Sequence, residues 1–206
     1  MIGRFISVAS VVGAAVALSA CSLLSTPDPV QLYRFGTLGP APTAGATAAA
    51  APVAVSLRRI DFPEASQGDR ILGVTGSEAA YIKGARWVSP AETLYSDSLE
   101  SAFAARPDRV RLLGRREAGV STRVLNIDVT AFEARYAVAG AAPEAVITVR
   151  ARMVVLPERS VTHERTFSVV QPASENRVAA IVEAFDIASR DINTQIVDWT
   201  GGTALP

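Results

Sequence analysis

The feature that most constrains the fold of this chain is a strict alternation of apolar and polar residues in its second half. One stretch places Leu125, Ile127 and Val129 on one face of an extended strand and polar residues on the other. A second stretch repeats the alternation, with an apolar face made of Ala145, Ile147, Val149, Ala151, Met153 and Val155. A third, less regular stretch contains Phe167 and Val169. Strands with one apolar face are typical of an antiparallel sheet that is covered on one side only.

The apolar face of the first stretch changes its phase after Ala131. It continues through Phe132, Ala134 and Tyr136, which would lie on the opposite face of a regular strand. One extra residue in a strand shifts the alternation and returns the apolar side chains to the core. The sequence therefore predicts a bulge or a strong bend near Ala131.

The last amphipathic helix is the clearest predicted element. Its apolar stripe, at steps of three and four residues, consists of Val178, Ile181, Val182, Phe185, Ala188, Ile192, Ile196 and Trp199. Ser174 would cap this helix of about 25 residues and Glu175 would lie in its first turn, where a carboxylate favours the helix dipole. Gly201-Gly202 would end it.

An earlier helix follows Ser89-Pro90-Ala91-Glu92, in which serine and glutamate form a capping box. Its apolar face consists of Leu94, Tyr95, Ser98, Leu99, Ala102 and Phe103, and Pro107 ends it. Shorter strands are predicted at 31–35, 53–60, 70–74, 78–82, 86–88 and 110–113, with Lys83-Gly84 as a turn between the fourth and the fifth. The predicted fold class is α+β: a two-layer sandwich with a mainly antiparallel sheet and two helices packed on one face.

The first twenty residues are expected to be an export signal. Arg4 precedes an apolar run, Phe5 to Leu18, that is shorter than the ~20 residues of a membrane-spanning helix. The run ends in Leu18-Ser19-Ala20-Cys21, which resembles the bacterial lipobox, where cleavage precedes a cysteine that becomes acylated. Cys21 is the only cysteine, so we expect it to carry the covalent lipid, with Leu18, Ser19 and Ala20 as lipobox residues. An ordinary signal peptide with an unrelated cysteine is the alternative.

These features divide the chain into a removed signal peptide at 1–20, a lipidated tether and linker at 21–52, a folded domain at 53–202 and a tail at 203–206. The linker from Gly39 to Pro52 has no charge and no large apolar side chain, so burial cannot offset the entropy of ordering it. In lipoproteins resembling this one, serine after the cysteine permits transfer to the outer membrane, whereas aspartate causes inner-membrane retention. Because Ser22 occupies that position, we expect the periplasmic face of the outer membrane.

Composition excludes several functional classes. Lys+Arg and Asp+Glu both number 20, so the chain lacks the basic surplus of a nucleic-acid-binding protein. One cysteine and one histidine cannot build a zinc cluster, and no calcium-loop spacing occurs, so no metal and no cofactor beyond the lipid on Cys21 is expected. No nucleophile elbow accompanies His163 and no phosphate loop is present. The chain is therefore not expected to be an enzyme.

A few residues are candidates for contacts outside the chain. Tyr33 and Trp87 are candidate partner-contact residues, because exposed aromatic side chains anchor interfaces. For Trp87 a buried structural role is the alternative. A group of arginines would either meet anionic lipid headgroups or form a solvated strand face, and it consists of Arg106, Arg109, Arg111, Arg115 and Arg116.

Several short motifs resemble, in their order, the ABC-type transport auxiliary lipoproteins, and among them the paraquat-inducible protein C group. After the lipobox they are Tyr33-Arg34-Phe35, Asp61-Phe62-Pro63, Asp69-Arg70-Ile71, Ala85-Arg86-Trp87 before a proline-started helix, and Leu125-Asn126-Ile127-Asp128-Val129 followed by Phe132. The closing helix is similar too, so the resemblance covers nearly the whole predicted mature chain. The Ala/Pro-rich linker departs from the compact start of that family, which would give the tether a longer reach.

The resemblance implies a non-catalytic lipoprotein of the outer membrane that docks a periplasmic protein of the mammalian-cell-entry type, the partner of an inner-membrane ABC transporter. Such systems move phospholipids or other hydrophobic molecules between membranes, so a lipid cargo is implied, and a homo-oligomer is a further expectation. Two alternatives remain open. One is a lipid-binding carrier, and the other is a structural or assembly lipoprotein of the cell envelope.

Overall fold

The computed structural model describes residues 29–36, 52–114, 122–156 and 160–203. These ranges contain eight strands and three helices. In chain order the elements are β1 (Gln31–Tyr33), β2 (Val53–Asp61), α1 (Glu64–Gln67), β3 (Arg70–Thr75), β4 (Glu78–Trp87), α2 (Ala91–Ala104), β5 (Val110–Leu113), β6 (Arg123–Tyr136), β7 (Glu144–Val155), β8 (Ser160–Pro172) and α3 (Val178–Gly202). Cys21 with its lipobox, most of the linker and the tail from residue 204 lie outside the described residues.

The eight described strands form one sheet that divides at β6. Along one edge β6 pairs with β7, which pairs with β8, and both pairings are antiparallel. Along the other edge β2 lies parallel to Val124–Asp128 of β6, and β3 lies parallel to Ala134–Tyr136. Beyond β2 lies β5, and beyond β3 lie β4 and then β1. One side of β6 is therefore continuous and the other is forked.

The sheet is mixed: its two longest pairings, β6 with β7 and β7 with β8, are antiparallel as predicted, and shorter parallel pairings lie beside them. Of the seven pairings among the described strands, four are parallel. Parallel neighbours need a crossover connection. The connection from β2 to its parallel neighbour β5 passes through α1, β3, β4 and α2. Alternation along a strand indicates which of its faces is buried. It does not indicate which strand lies beside it or in which direction that strand runs, so the sequence does not distinguish parallel from antiparallel pairing.

The predicted bulge in β6 is confirmed. The register between β6 and β7 shifts between Val129 and Ala131. On either side of the shift the buried side chains are those of the two predicted phases, with Ile127 and Val129 before it and Phe132 and Ala134 after it.

Both long helices contribute to the same apolar core as the sheet. The predicted stripe of α3 is buried except for Val178 and Trp199, which are half-buried. In α2 the predicted face is buried apart from the half-buried Ala102. The helices contact each other, and the Asn193 side-chain amide donates a hydrogen bond to Ser98 Oγ at 3.0 Å. Mixed α and β structure is thus confirmed, and the two-layer arrangement stays a prediction.

The ends of both helices differ from the expectation. Pro90, and not Ser89, precedes the first residue of α2, and no side chain caps that helix end. Ser174 and Glu175 lie before α3, which follows Arg177. The C-terminal glycines do not stop α3, which includes both and ends before Thr203. Gly201 packs closely here, because a Cβ at this position would lie 3.3 Å from Val110.

The predicted turn at Lys83-Gly84 is wrong, because β4 is one continuous strand. Against β3, the register shifts between the pairs Arg70–Arg86 and Leu72–Tyr81, so β4 contains extra residues there. Gly84 has a φ of +72°, which favours glycine. A residue with a positive φ occurs in bulges as well as in turns, and in both cases the sequence shows the same signal, a glycine.

Residues 31–36 are part of the folded body. β1 pairs in parallel with the end of β4, and Phe35 is 2% exposed. The Gly36 N–H donates a hydrogen bond to Asp186 Oδ1 at 2.7 Å. The body therefore includes residues on both sides of the predicted linker, Gly39 to Pro52. This corrects the expectation that the linker lengthens the tether.

Candidate functional site

Trp87 lies in the core, so its ring is not available to a partner. It is 2% exposed and packs edge-on against Phe35 and Phe185, with ring centroids 4.9 and 5.5 Å apart. This burial agrees with the structural role that the sequence left open. Tyr33, the other candidate, is half-buried, and its hydroxyl donates a hydrogen bond to Gln31 at the surface. Tyr33 thus remains a candidate contact residue.

An aromatic cluster joins the separate elements of the body at Phe132. Its ring lies 4.8 Å from Phe185 on α3 and 5.2 Å from both Phe35 and Phe62. Tyr95 on α2 is fully buried beside it, and this burial raises the pKa of the phenol. Aromatic pairs at such distances each contribute roughly 0.5–1.5 kcal/mol beyond their burial. The cluster is therefore a structural centre for the forked side of the sheet.

His163 is half-buried on β8 and lies in register with Met153 on β7. Among the described residues, no group of three histidine, cysteine or acidic side chains is arranged to hold a metal ion. The described ranges also contain no helix that is long and apolar enough to cross a membrane.

The arginine group is divided by the structure. The guanidinium groups of Arg106 and Arg109 both donate to Asp198 Oδ1 on α3, at 3.1 and 3.4 Å. These ion pairs hold the turn before β5 against α3, so the two side chains are not a bare basic surface. Arg115 and Arg116 lie outside the described residues, and Arg111 lies on β5.

The outer face of the sheet is polar where β6, β7 and β8 meet. Asp128 on β6 forms an ion pair with Arg150 on β7, and this carboxylate raises the pKa of the guanidinium. The hydroxyls of Thr148 and Ser168 share a hydrogen bond of 3.0 Å across the next strand pair. Cross-strand pairs of this kind stabilise a solvated sheet face.

A cavity of about 1330 Å³ lies between α2 and the edge of the sheet formed by β2 and β5. Its strand wall includes Val110–Leu113, the whole of β5, and continues onto Leu57 and Ile60 of β2. Phe103 of α2 adds to the apolar floor. The helix wall is mostly polar and includes Glu92, Thr93, Ser96, Asp97, Glu100 and Ser101.

Sequence reasoning did not find this cavity. The four-residue pattern of β5 predicts a strand, and the pattern of α2 predicts which face is buried. Neither pattern reports that β5 has a single neighbour among the described strands, β2. The only available signal was the row of acidic and hydroxyl side chains on the solvent side of α2, which is common on exposed helices.

Comparison with protein families gives a match to the ABC-type transport auxiliary lipoprotein component family over residues 37–197. No protein of curated function matches the chain. Among solved structures, protein XCC0632 from Xanthomonas campestris is similar, with 28% identity and a TM-score of 0.70. That similarity covers 83% of this chain and 95% of the other.

A second solved structure, of an uncharacterized protein, is 15% identical with a TM-score of 0.61. It covers 83% of this chain and 98% of the other, and at this identity it shows the fold alone.

Proposed function

The chain belongs to the ABC-type transport auxiliary lipoprotein component family, and from this membership we propose a specific docking role. In this proposal the chain is held by a lipid on Cys21 at the periplasmic face of the outer membrane. There it docks a mammalian-cell-entry-type periplasmic protein, which works with an inner-membrane ABC transporter to move lipids between the membranes. The chain itself is non-catalytic in this role.

The observation that carries the proposal is the extent of the family match. Residues 37–197 include β2 to β8, α1, α2 and most of α3. The family is described as an auxiliary component of transport and as a lipoprotein. The second description agrees with the lipobox, which lies outside the matched residues and so supports the anchor independently.

The position of β1 gives the proposed anchor a short reach. Nine residues, 22–30, separate Cys21 from β1. An extended chain of this length spans at most about 30–35 Å, at ~3.3–3.6 Å per residue. Acyl chains hold a lipoprotein stably because each buried methylene contributes ~0.8 kcal/mol. The body would therefore stay close to the membrane, which suits a docking component more than a carrier that crosses the periplasm.

Replacing Cys21 by alanine in the full-length protein tests the anchor. We expect Cys21→Ala to leave the membrane fraction and to lose the outer-membrane barrier function, because no acyl chain can be attached. Ser25→Ala, in the same tether, is the matched control and should behave as wild type. Wild-type barrier function in Cys21→Ala cells would contradict the docking proposal.

Ser22→Asp tests the membrane to which the lipoprotein is sorted. We expect this variant to move to the inner membrane while it remains acylated, because aspartate at that position is a retention signal in similar lipoproteins. Separation of the two membranes by density, followed by detection of the protein, measures the result. A variant that stays in the outer membrane would contradict the proposed sorting.

Mild cross-linking in intact cells, followed by purification and mass spectrometry, tests the partner. We expect recovery of a mammalian-cell-entry protein together with its permease. Recovery of outer-membrane assembly or cell-wall proteins alone would instead favour a structural lipoprotein. Lipid extraction of the same sample tests the carrier alternative, for which the apolar floor of the cavity beside α2 is the favouring observation.

A further inference from the structure

We propose that the body of this protein rests on the membrane that holds its lipid anchor, through a patch of exposed apolar side chains beside β1. This surface, the β1 patch, consists of Val30, Leu32 and Val88. It contacts the boundary between the headgroups and the acyl chains of a phospholipid bilayer. The inference deepens the proposed function, because it rests on the lipid at Cys21, but it involves no transport partner.

Exposed apolar side chains are concentrated at this corner of the sheet. Among the described residues seven large hydrophobic side chains are exposed, and three of them form the β1 patch. Leu32 is 62% exposed, Val30 is 48% exposed and Val88 is 47% exposed. Apolar residues that are exposed singly are ordinary on a protein surface, whereas a group of them suits contact with a membrane or a second protein.

Leu32 points away from the core. In the parallel pairing of β1 with β4 it is in register with the exposed Arg86, whereas the next residue of β4, Trp87, is buried. Because successive residues of a strand point to opposite faces, Leu32 lies on the outer face of the sheet. Val30, two residues earlier, lies on the same side. This corner therefore differs from the polar outer face where β6, β7 and β8 meet.

Val88 completes the patch from the neighbouring strand. It follows β4 directly, and its N–H donates to the Tyr33 carbonyl at 2.7 Å, so it lies beside β1. Val88 comes two residues after Arg86, which places its side chain on the outer face as well. The three apolar side chains thus share one face and are contributed by two adjacent segments.

The length of the tether identifies the occupant. Eight residues, 22–29, separate Cys21 from Val30, and an extended chain of this length spans at most about 30 Å. An acylated Cys21 would keep the β1 patch within this distance of the bilayer, and such a high effective concentration favours even a weak contact. The tether imposes no comparable constraint on a second copy or on another protein.

The charges beside the patch permit this contact. Arg86 forms an ion pair with Asp69 at 2.8 Å, Arg34 is exposed, and Asp28 precedes the patch in the sequence. Because both signs are present, no field of a single sign repels the headgroups. An arginine beside apolar residues also suits this boundary, since its stem lies along the apolar side chains while its guanidinium binds phosphate.

Fluorescence quenching of the labelled lipoprotein tests the proposal. Cys21 is the only cysteine and its acylated thiol cannot react, so a nitrobenzoxadiazole label can be attached to Leu32→Cys or Val88→Cys in the full-length protein. The proteins are reconstituted in vesicles of phosphatidylethanolamine and phosphatidylglycerol. The control label replaces Val138, which is 63% exposed and follows Tyr136, near the opposite end of β3.

We expect doxyl-labelled lipid to quench the labels at positions 32 and 88 but not the label at position 138. Iodide in the water should quench the first two about threefold less than the control, because the bilayer covers the patch.

A charge in the patch should release it from the bilayer. With the label at Val88→Cys, Val30→Glu should raise iodide quenching about threefold, because a carboxylate is excluded from the acyl-chain boundary. Val30→Leu should leave the quenching unchanged. Val30 precedes β1, and thermal unfolding verifies that both variants are folded.

Mass spectrometry of the reconstituted protein separates this inference from the proposed function. An acylated protein whose labels are open to iodide and unaffected by doxyl lipid would overturn the contact and leave the anchor intact. Labels shielded from both quenchers would mean that protein, such as a second copy, covers the patch, and would also overturn it. A protein without acyl chains would contradict both proposals. Cross-linking that recovers no mammalian-cell-entry partner would contradict the docking role alone.

Discussion

Along one edge of β6, β7 pairs from Arg123 to Arg135, whereas along the other edge β2 and β3 share the strand. The first side is built from consecutive strands, so its contacts are close in sequence. The second side brings together distant segments, and the hydrogen bond between Gly36 and Asp186 joins residues 150 positions apart. Long-range contacts of this kind form at a greater entropic cost. The forked side also borders the cavity between α2 and the strands β2 and β5.

The largest expected effect is the loss of the aromatic centre that holds the fork together. Phe132→Ala should lower the free energy of unfolding by about 3–5 kcal/mol, because its buried ring contacts Phe35, Phe62 and Phe185. Urea unfolding measures it. Val170→Ala, an exposed residue on β8, is the control and should cost no more than ~0.5 kcal/mol. Equal losses for the two variants would contradict the central role of Phe132.

A glycine pair compares the two sides directly. Gly36 has a φ of +69°, and an added Cβ would lie 2.5 Å from Ser98 Cβ, so Gly36→Ala should cost at least about 2 kcal/mol. Gly140, in the loop between β6 and β7, has a φ of +83° but open space around it. Gly140→Ala should therefore cost only ~1 kcal/mol, the backbone term alone. Chemical denaturation of both variants measures the difference. Equal losses in the free energy of unfolding would mean that α2 shifts to make room for the new methyl group at position 36.

Removing the ion pairs before β5 should have a smaller effect. Asp198→Asn loses the charge that binds Arg106 and Arg109, and because these groups are half-exposed we expect a loss of about 0.5–1 kcal/mol. The loss should fall as salt rises to about 0.5 M, where exposed charges are screened. Asp191→Asn, about two turns earlier in α3, is the control with no arginine partner among the described residues. A loss that does not depend on salt would exclude this electrostatic explanation.

The smallest effect at neutral pH is expected for Tyr95→Phe. The buried hydroxyl has no hydrogen-bond partner among the described atoms, so its removal should change stability by less than ~0.5 kcal/mol. Above pH 10 the stabilities of Tyr95→Phe and of the wild-type protein should depend differently on pH. Because burial raises the pKa of Tyr95 above its usual 10.0, the folded state keeps a proton that the unfolded state loses.

Stability of the wild-type protein should therefore decrease as the pH rises above 10, by up to ~1.4 kcal/mol per pH unit from this group. Unfolding curves at increasing pH should show a shallower decline for Tyr95→Phe. Identical slopes for the two proteins would show that the phenol is not buried as described.

The sequence predicts the features that depend on local patterns better than those of the forked side of β6, which join distant segments. The stripe of α3 and the phase shift near Ala131 are local periodicities, and both predictions are confirmed. The parallel pairing of β2 with β6 depends on a crossover between distant segments, and no periodicity encodes it. Lys83-Gly84 predicts a turn where the structure has an irregular strand, because a glycine with a positive φ suits both conformations.

The candidate sites show the same limit. The sequence alone does not distinguish a core from a surface position for Trp87, because an aromatic residue in a short strand fits either position. The cavity beside β5 is lined by residues of β2, α2 and β5, so it depends on how these separate segments pack, which the sequence of each one does not indicate. The anchor at Cys21 depends on local sequence alone and stays a prediction.

The packing of residues 31–36 against the body has a mechanical consequence for a protein held by its N-terminus. With Cys21 fixed in a membrane as proposed, any pull between the membrane and a docked partner enters the body at the three-residue β1. The few hydrogen bonds between β1 and β4 would break first under tension. The buried ring of Phe35 would then resist further displacement of the chain. Because Phe35 packs against Phe132 of the central strand β6, the force would act on the sheet as a whole and not on β1 alone.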